Sequence, residues 1–157
     1  MEHIREFNKG AYDHTDHPCK VAAVNLMNAQ GYVLKGNIWD ENFKKWDLEF
    51  HNPNKNKKII IENEMRENFH LLKTKFSTIH VPARKKSTPA DYYIVWNQDL
   101  NEMALIENKF LSSSPIIEIN CKARGNVPAY KDKMLDVHKK NIIFYKKVGR
   151  KWQKEKI

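Results

Sequence analysis

The most regular pattern in the chain is an alternation of apolar and polar residues, followed shortly by a β-branched run. In the alternating segment, Trp46, Leu48 and Phe50 fall on one side of an extended strand and the two intervening acids fall on the other. A second strand is predicted over KIIIENEMR, which begins with three isoleucines. The segment between them, HNPNKNKK, is rich in turn-forming residues. The pattern therefore predicts a β-hairpin with a long connection.

A helix is predicted on each side of this hairpin. Pro18 suits a first turn and Gly31 suits a stop for a helix over CKVAAVNLMNAQ. Its inner face is predicted to carry Val21, Val24 and either Met27 or Asn28, and to be broadened by Ala22, Ala23 and Leu26. The second helix is predicted over MRENFHLLKTKF. Further strands are predicted over STIHVPAR, DYYIVWN, EMALIEN and PIIEINC. The C-terminal KKNIIFYKKVGRKW is interpreted as a strand followed by a frayed end. This order predicts an α/β (α+β) fold, with a mixed central β-sheet flanked by helices.

Length and composition favour one compact intracellular domain. The chain has 157 residues, of which 41% are hydrophobic, which fits a single domain over 1–157. No apolar run approaches the roughly 20 residues of a membrane helix, so no membrane partner is expected. The first residues lack the apolar core of a secretory signal, and two isolated cysteines favour a reducing compartment. We expect an intracellular protein, cytoplasmic in a bacterial or phage-infected host.

Charge is distributed unevenly along the chain. The net charge is +9, and residues 122–157 alone carry 12 basic and 3 acidic side chains, so residues 1–121 are neutral overall. A basic C-terminal segment suits a polyanion, because each phosphate contact releases condensed counterions. A solvated basic face that maintains solubility is the alternative. Five residues in two loops are predicted to bind nucleic acid, namely Arg84, Lys85, Lys86, Lys122 and Arg124.

Acidic residues on the two hairpin strands form the candidate chemical site. Asp47 shares a strand face with Glu49, and Glu62 shares a face with Glu64 on the next strand. Carboxylates that converge across a hairpin repel one another unless a cation neutralises them, and hard carboxylate oxygens suit Mg²⁺ or Mn²⁺. The step from Ile61 to an acid indicates a strand that leaves the core for a cleft. Alternatively, the acids form a solvated face and pair with neighbouring lysines or Arg66.

This arrangement resembles the PD-(D/E)xK nuclease superfamily, which includes restriction endonucleases and Holliday-junction resolvases. The resemblance covers residues 18–97 and consists of a helix, Asp47 on one strand, Glu62-Asn63-Glu64 as an E-x-E motif after a hairpin, and a second helix. It implies a restriction-endonuclease-like core in which Asp47 and Glu62 bind Mg²⁺ and Glu64 completes the metal shell or orients the attacking water. Trp46 stands where the family has Pro.

A second register remains open within this motif. It takes Glu64-Met65-Arg66 as E-x-K with Arg in place of Lys. Arg does not act as a base, so another lysine would be needed, and Lys73 or Lys75 are the nearest in sequence. Lys85 is a further catalytic candidate if the fold brings it over the acids.

Together these patterns predict a Mg²⁺-dependent endonuclease that hydrolyses phosphodiester bonds in DNA. A chain of this size that cuts both strands often acts as a homodimer, so a second copy is an expected partner. The competing hypothesis is a non-catalytic nucleic-acid-binding module whose acids are only a polar surface. The absence of Walker, G-x-S-x-G and dinucleotide motifs argues against nucleotide hydrolysis and acyl transfer.

Overall fold

The computed structural model describes residues 17–36, 48–66, 77–123 and 125–155. Within these ranges the fold is α+β, with one long helix, one short helix and ten strands in two sheets. The first strands are β1 (Val33–Leu34), β2 (Leu48–Asn52), β3 (Lys57–Arg66), β4 (Thr78–Pro82) and β5 (Tyr92–Asn97). The later strands are β6 (Glu102–Glu107), β7 (Ile116–Cys121), β8 (Tyr130–His138), β9 (Ile142–Val148) and β10 (Lys151–Glu155).

The helices lie between these strands. Helix α1 spans His17–Ala29 and helix α2 spans Asn108–Ser113. Two short 3₁₀ helices, η1 (Ala83–Ser87) and η2 (Lys139–Asn141), follow β4 and β8. Among the described residues, no helix is long and apolar enough to cross a membrane.

The larger sheet is mixed, as predicted. Its seven strands run in the order β1-β2-β3-β5-β6-β9-β10, and all neighbours are antiparallel except β3 and β5. Parallel neighbours need a crossover connection, and here it leads from Arg66 to Tyr92 through β4 and η1. The crossover brings the end of η1 back to the middle of β3.

The smaller sheet has three antiparallel strands in the order β4-β8-β7. It covers one face of the larger sheet, where a hydrophobic cluster includes Val81, Tyr93, Val95, Leu135 and Val137. The opposite face packs against α1 through a second cluster. In the described residues, therefore, α1 covers one face of the central sheet, and the smaller sheet covers the other together with α2, whose Leu111 joins the first cluster. The expected flanking by helices is thus found only in part, because a second sheet occupies most of one face.

Alternation along the strands predicted the sheet faces correctly. Leu48 and Phe50 join the cluster under α1, and Ile94 and Trp96 join them there. Tyr93 and Val95 point to the other face, as period two requires. The β2–β3 hairpin pairs in register Leu48 with Ile61 and closes through a turn over 53–56.

Two local predictions need correction. The predicted inner face of α1 is right for Ala23 and Met27, which are buried, but Cys19 is buried with them and Val21 is 37% exposed. The reason is that the i, i+4, i+8 row of small and flexible side chains lies flat on the sheet. The C-terminal segment is also not frayed over 151–155, because β10 pairs with β9 along its whole length. The predicted helix over 65–76 lies almost entirely outside the described residues.

Candidate functional site

The site begins where β3 changes from apolar to acidic. Ile61 is 2% exposed and packs under α1, while the next residue, Glu62, points to the opposite face and is 4% exposed. A carboxylate this far from water is costly unless a positive group or hydrogen-bond donors compensate it. The neighbours of Glu62 therefore determine what the site can do.

Lys85 supplies the positive charge. Its ammonium Nζ lies 3.0 Å from Oε1 of Glu62, and its side chain is 25% exposed. Lys85 reaches this position because β4 ends at Pro82 and the chain turns at once into η1. Lys85 was a catalytic candidate only if the fold brought it over the acids. The structure brings it next to one of them, Glu62.

A cavity of about 260 Å³ lies beside this ion pair. Its lining is mostly basic and hydroxyl-bearing, and consists of Glu62, Arg84, Lys85, Ser87, Thr88 and Pro89. The side-chain oxygen of Thr88 is buried and makes no hydrogen bond with the described residues. Such a set of donors around a space of this size suits an oxyanion such as a phosphate group.

The cavity wall is held in place from two sides. Asp91 accepts a hydrogen bond from the backbone N–H of Ile60 through Oδ2 at 2.8 Å, and its own N–H donates to the Ile60 carbonyl at 2.8 Å. The Asn108 amide at the start of α2 donates to the carbonyls of Thr88 and Ala90. These bonds fix the loop over 88–91 against β3, so the cavity is preformed.

Glu64 occupies a different environment on the same strand face. The hydroxyl of Tyr93 donates to Oε2 of Glu64, and the guanidinium of Arg66 donates to Oε1. Arg66 also donates to the carbonyl of His80 on β4, which connects the two sheets. Burial raises the pKa of Tyr93 well above its usual value, and the adjacent Glu64 carboxylate raises it further. Both carboxylate oxygens of Glu64 are thus engaged by neighbouring donors.

The third acid of this face, Glu49, is paired away from the cavity. Its two carboxylate oxygens lie 3.5 Å from Lys35 and 3.2 Å from Lys58, and both lysines are largely exposed. These ion pairs with exposed lysines indicate a structural role for Glu49 rather than a role as a metal ligand.

Other predicted site residues are distributed as follows. Asp47 and Arg124 lie outside the described residues. Arg84 and Lys86 are exposed on η1, and Lys122 is exposed directly after β7. Within the described part of the chain, no group of three His, Cys, Asp or Glu side chains is arranged to hold a metal ion.

Sequence reasoning missed three residues that build the site. Tyr93 was predicted only as part of a strand, and it is buried, but its hydroxyl also donates a hydrogen bond to Glu64. Asp91 and Asn108 received no role, although they fix the cavity wall. The sequence carried one signal for Asp91, because it follows Pro89 and Ala90 in a turn-like segment. In such segments the side chain of Asp often accepts a hydrogen bond from a backbone N–H.

Comparisons of the chain with protein-family models, with curated proteins and with solved structures found no match.

Proposed function

We propose that this protein is a divalent-metal-dependent endonuclease that hydrolyses phosphodiester bonds in DNA. The observation that carries the proposal is the buried carboxylate of Glu62, which opens on a cavity whose other polar walls are basic or hydroxyl-bearing. An acid that attracts a cation, next to groups that attract a phosphate, is the charge arrangement that metal-assisted phosphoryl chemistry needs.

The donor chemistry fits Mg²⁺ or Mn²⁺, provided that a second acid joins Glu62. Glu62 offers hard carboxylate oxygens, and its contact with Lys85 indicates a position that favours positive charge. The sequence position of Asp47, directly before Leu48, supports it as the second ligand, because Leu48 pairs with Ile61 and Glu62 follows Ile61. Asp47 and Glu62 would then hold the ion together.

A metal ion held by Asp47 and Glu62 would supply an activated water nucleophile and would neutralise charge on the phosphoryl group. The chain's own groups bind and orient the substrate. Arg84 and Lys85 attract the phosphate that enters the cavity, and the hydroxyls of Ser87 and Thr88 donate hydrogen bonds to its oxygens. Lys85 stabilises the negative charge that develops there. Glu64, held by Tyr93 and Arg66, maintains the position of the strand that carries Glu62.

The order of elements supports a restriction-endonuclease-like core. Helix α1 is followed by β1, by the β2–β3 hairpin that carries Glu62, and by a crossover to a strand parallel to β3. The E-x-E register is the better supported one, since Glu62 lines the cavity, whereas Glu64 and Arg66 pair with each other.

Cleavage of double-stranded and branched DNA in the presence of Mg²⁺ or Mn²⁺ tests the proposal. We expect Glu62→Gln and Asp47→Asn to lower the cleavage rate at least a hundredfold. Glu49→Gln is the matched control, because Glu49 is a buried carboxylate on the neighbouring strand that is paired with Lys35 and Lys58. Equal cleavage by wild type and by the Glu62 and Asp47 variants, or cleavage without metal, would reject the assignment.

One observation favours a second candidate, a nucleic-acid-binding module without catalysis. Each described acid on this face of β2 and β3 has a basic partner, since Glu49 pairs with Lys58, Glu62 with Lys85 and Glu64 with Arg66. Calorimetric titration with Mn²⁺ separates the two candidates. A binding module would show no heat of Mn²⁺ binding, and its salt-dependent affinity for nucleic acid would survive the Glu62→Gln substitution.

A further inference from the structure

The smaller sheet extends into a two-stranded ribbon. Strand β7 pairs with residues 130–135 of β8, whereas β4 pairs only with residues 134–138. The part of the β7–β8 hairpin that β4 does not reach, Glu118–Cys121 with Tyr130–Lys133, is defined here as the β-ribbon. No residue of the β-ribbon is buried. A two-stranded hairpin is marginally stable by itself, and the residues of the β-ribbon are exposed or only half-buried.

The β-ribbon leaves the sheet beside the candidate site. Pro82, the last residue of β4, pairs with Met134, and η1 begins at the next residue, Ala83. Strand β8 contacts η1. The β-ribbon therefore begins at the end of the smaller sheet where Arg84 and Lys85 form the cavity wall.

Alternation assigns a direction to the lysines of the β-ribbon. Lys131 and Lys133 lie on the same face of β8 as Leu135 and Val137, which pack towards the larger sheet. Asn120, the cross-strand partner of Lys131, shares this face. The side chain of Lys131 is 70% exposed, and it forms an exposed ion pair with Glu118 at 3.4 Å. The inner face of the β-ribbon thus carries two exposed lysines, one amide and the carboxylate of Glu118 towards the side of the molecule that holds Glu62.

The width of the major groove determines whether such a ribbon fits duplex DNA or duplex RNA. The major groove of B-DNA is about 12 Å wide and admits a two-stranded β-ribbon. The major groove of an RNA helix is deep and narrow, so side chains do not read it. Single strands are bound mainly through exposed stacking aromatics and basic grooves, and Tyr130 is the one aromatic residue in the β-ribbon.

We infer that the β-ribbon binds duplex DNA in the major groove, with Lys131 and Lys133 on the flanking phosphates, and so orients the duplex over the cavity. The choice of DNA as partner rests on the proposed function. Binding itself requires no cleavage, because the lysines contact phosphates through charge and hydrogen bonds only.

Fluorescence anisotropy in EDTA, with labelled duplex DNA, duplex RNA and single-stranded DNA of one sequence, tests the inference. We expect duplex DNA to bind at least tenfold more tightly than the other two. The double variant Lys131→Ala/Lys133→Ala should bind duplex DNA about tenfold more weakly and lower the slope of log K against log salt by about two, one for each lost phosphate contact. The matched control is Lys55→Ala/Lys57→Ala, since both lysines are exposed at the opposite end of β3.

Equal affinity of wild type and the Lys131/Lys133 variant for duplex DNA would overturn the inference, as would equal affinity for duplex DNA and duplex RNA. Circular dichroism confirms that each variant is folded. Because the readout is binding without metal, a chain that binds duplex DNA through the β-ribbon but never cleaves it would reject only the proposed function. Cleavage that is unaffected by the ribbon substitutions, together with unchanged binding, would reject only the ribbon.

Discussion

The ammonium of Lys85 and the carboxylate of Glu62 form a 3.0 Å ion pair, and both residues line the cavity. Lys85 lies in η1 and Glu62 lies in the middle of β3. The ion pair therefore links the crossover connection, which contains η1, to β3. The oxygen that Lys85 contacts is one that a divalent cation would also use. Lys85 and the proposed metal would therefore be alternative partners for Glu62.

Competition between Lys85 and metal leads to the first prediction. Lys85→Gln should bind Mn²⁺ about tenfold more tightly than wild type, as measured by calorimetry, because the competing cation is gone. Cleavage should fall in the same variant, since the phosphate loses a positive partner. Without metal, Lys85→Gln should be less stable by about 2 kcal/mol, as Glu62 stays buried and loses this partner. Mn²⁺ should then stabilise the variant more than it stabilises wild type.

Unchanged or weaker Mn²⁺ affinity in Lys85→Gln would contradict this competition. Lys86→Gln is the control, because Lys86 neighbours Lys85 on η1 but is exposed and does not line the cavity. It should alter neither Mn²⁺ affinity nor stability beyond about 0.5 kcal/mol.

The second prediction separates the two registers of the motif. Both oxygens of Glu64 accept hydrogen bonds from Tyr93 and Arg66, whereas Glu62 faces the cavity. Glu62→Gln should therefore weaken Mn²⁺ binding more than tenfold, and Glu64→Gln should weaken it less than threefold. The opposite order, with Glu64→Gln the more damaging, would support the register in which Glu64 is the ligand and Arg66 occupies the position of the motif lysine.

The third prediction concerns the pH dependence of stability. The pKa of Tyr93 is raised above its usual value of 10.0 by burial and by Glu64. The folded state therefore holds this proton more tightly than the unfolded state, and the associated stabilisation is present below pH 10 and is lost as the pH rises towards the folded pKa. Tyr93→Phe should lower the free energy of unfolding at pH 7 by about 1–2 kcal/mol, because Glu64 loses one donor.

Urea unfolding from pH 7 to pH 11 measures both effects. Wild type should lose more stability than Tyr93→Phe between pH 10 and pH 11, so the difference between the two proteins should shrink there. Tyr92→Phe controls for the loss of a hydroxyl on the opposite face of the same strand. A constant difference across the pH range would show that Tyr93 does not contribute through its proton.

The sequence predicted local structure and side-chain faces better than it predicted which strands and side chains contact each other in the fold. The faces of β2 and β5 follow from the alternation around Leu48 and around Tyr93, because an extended strand has a period of two. The isoleucine run before Glu62 predicted a strand that leaves the core for a cleft; Glu62 lines a cavity, but it is itself only 4% exposed. Each of these signals lies within a few residues of its effect.

Long-range pairings were not accessible from the same patterns. No periodicity indicates that β3 runs parallel to β5, or that β4, β8 and β7 form a separate sheet, because pairing depends on contacts between distant segments. For this reason the contact between Lys85 and Glu62, 23 residues apart, could be stated only as a condition. Strand β10 was missed because its lysines interrupt the alternation of apolar and polar residues. In the structure, Trp152 of this strand packs edge-on against Trp96, with 5.5 Å between the ring centroids.

The fourth prediction tests whether the cavity is built for a ligand. The hydroxyl of Thr88 is buried beside Arg84 and Lys85, and makes no hydrogen bond with the described residues. A buried polar group without a partner costs free energy. Thr88→Val, which replaces that hydroxyl by a methyl group of similar size, should therefore leave the free energy of unfolding unchanged or raise it by about 1 kcal/mol.

The same substitution should weaken the binding of the substrate phosphate. If the Thr88 hydroxyl donates to a substrate oxygen, Thr88→Val should lower kcat/KM for DNA cleavage about tenfold, which corresponds to one lost hydrogen bond to a charged group. Thr78→Val is the matched control, since Thr78 is half-buried at the start of β4 and does not line the cavity. A Thr88→Val protein that is destabilised by 2 kcal/mol yet cleaves normally would mean that the hydroxyl serves the fold and that the cavity does not use it to bind phosphate.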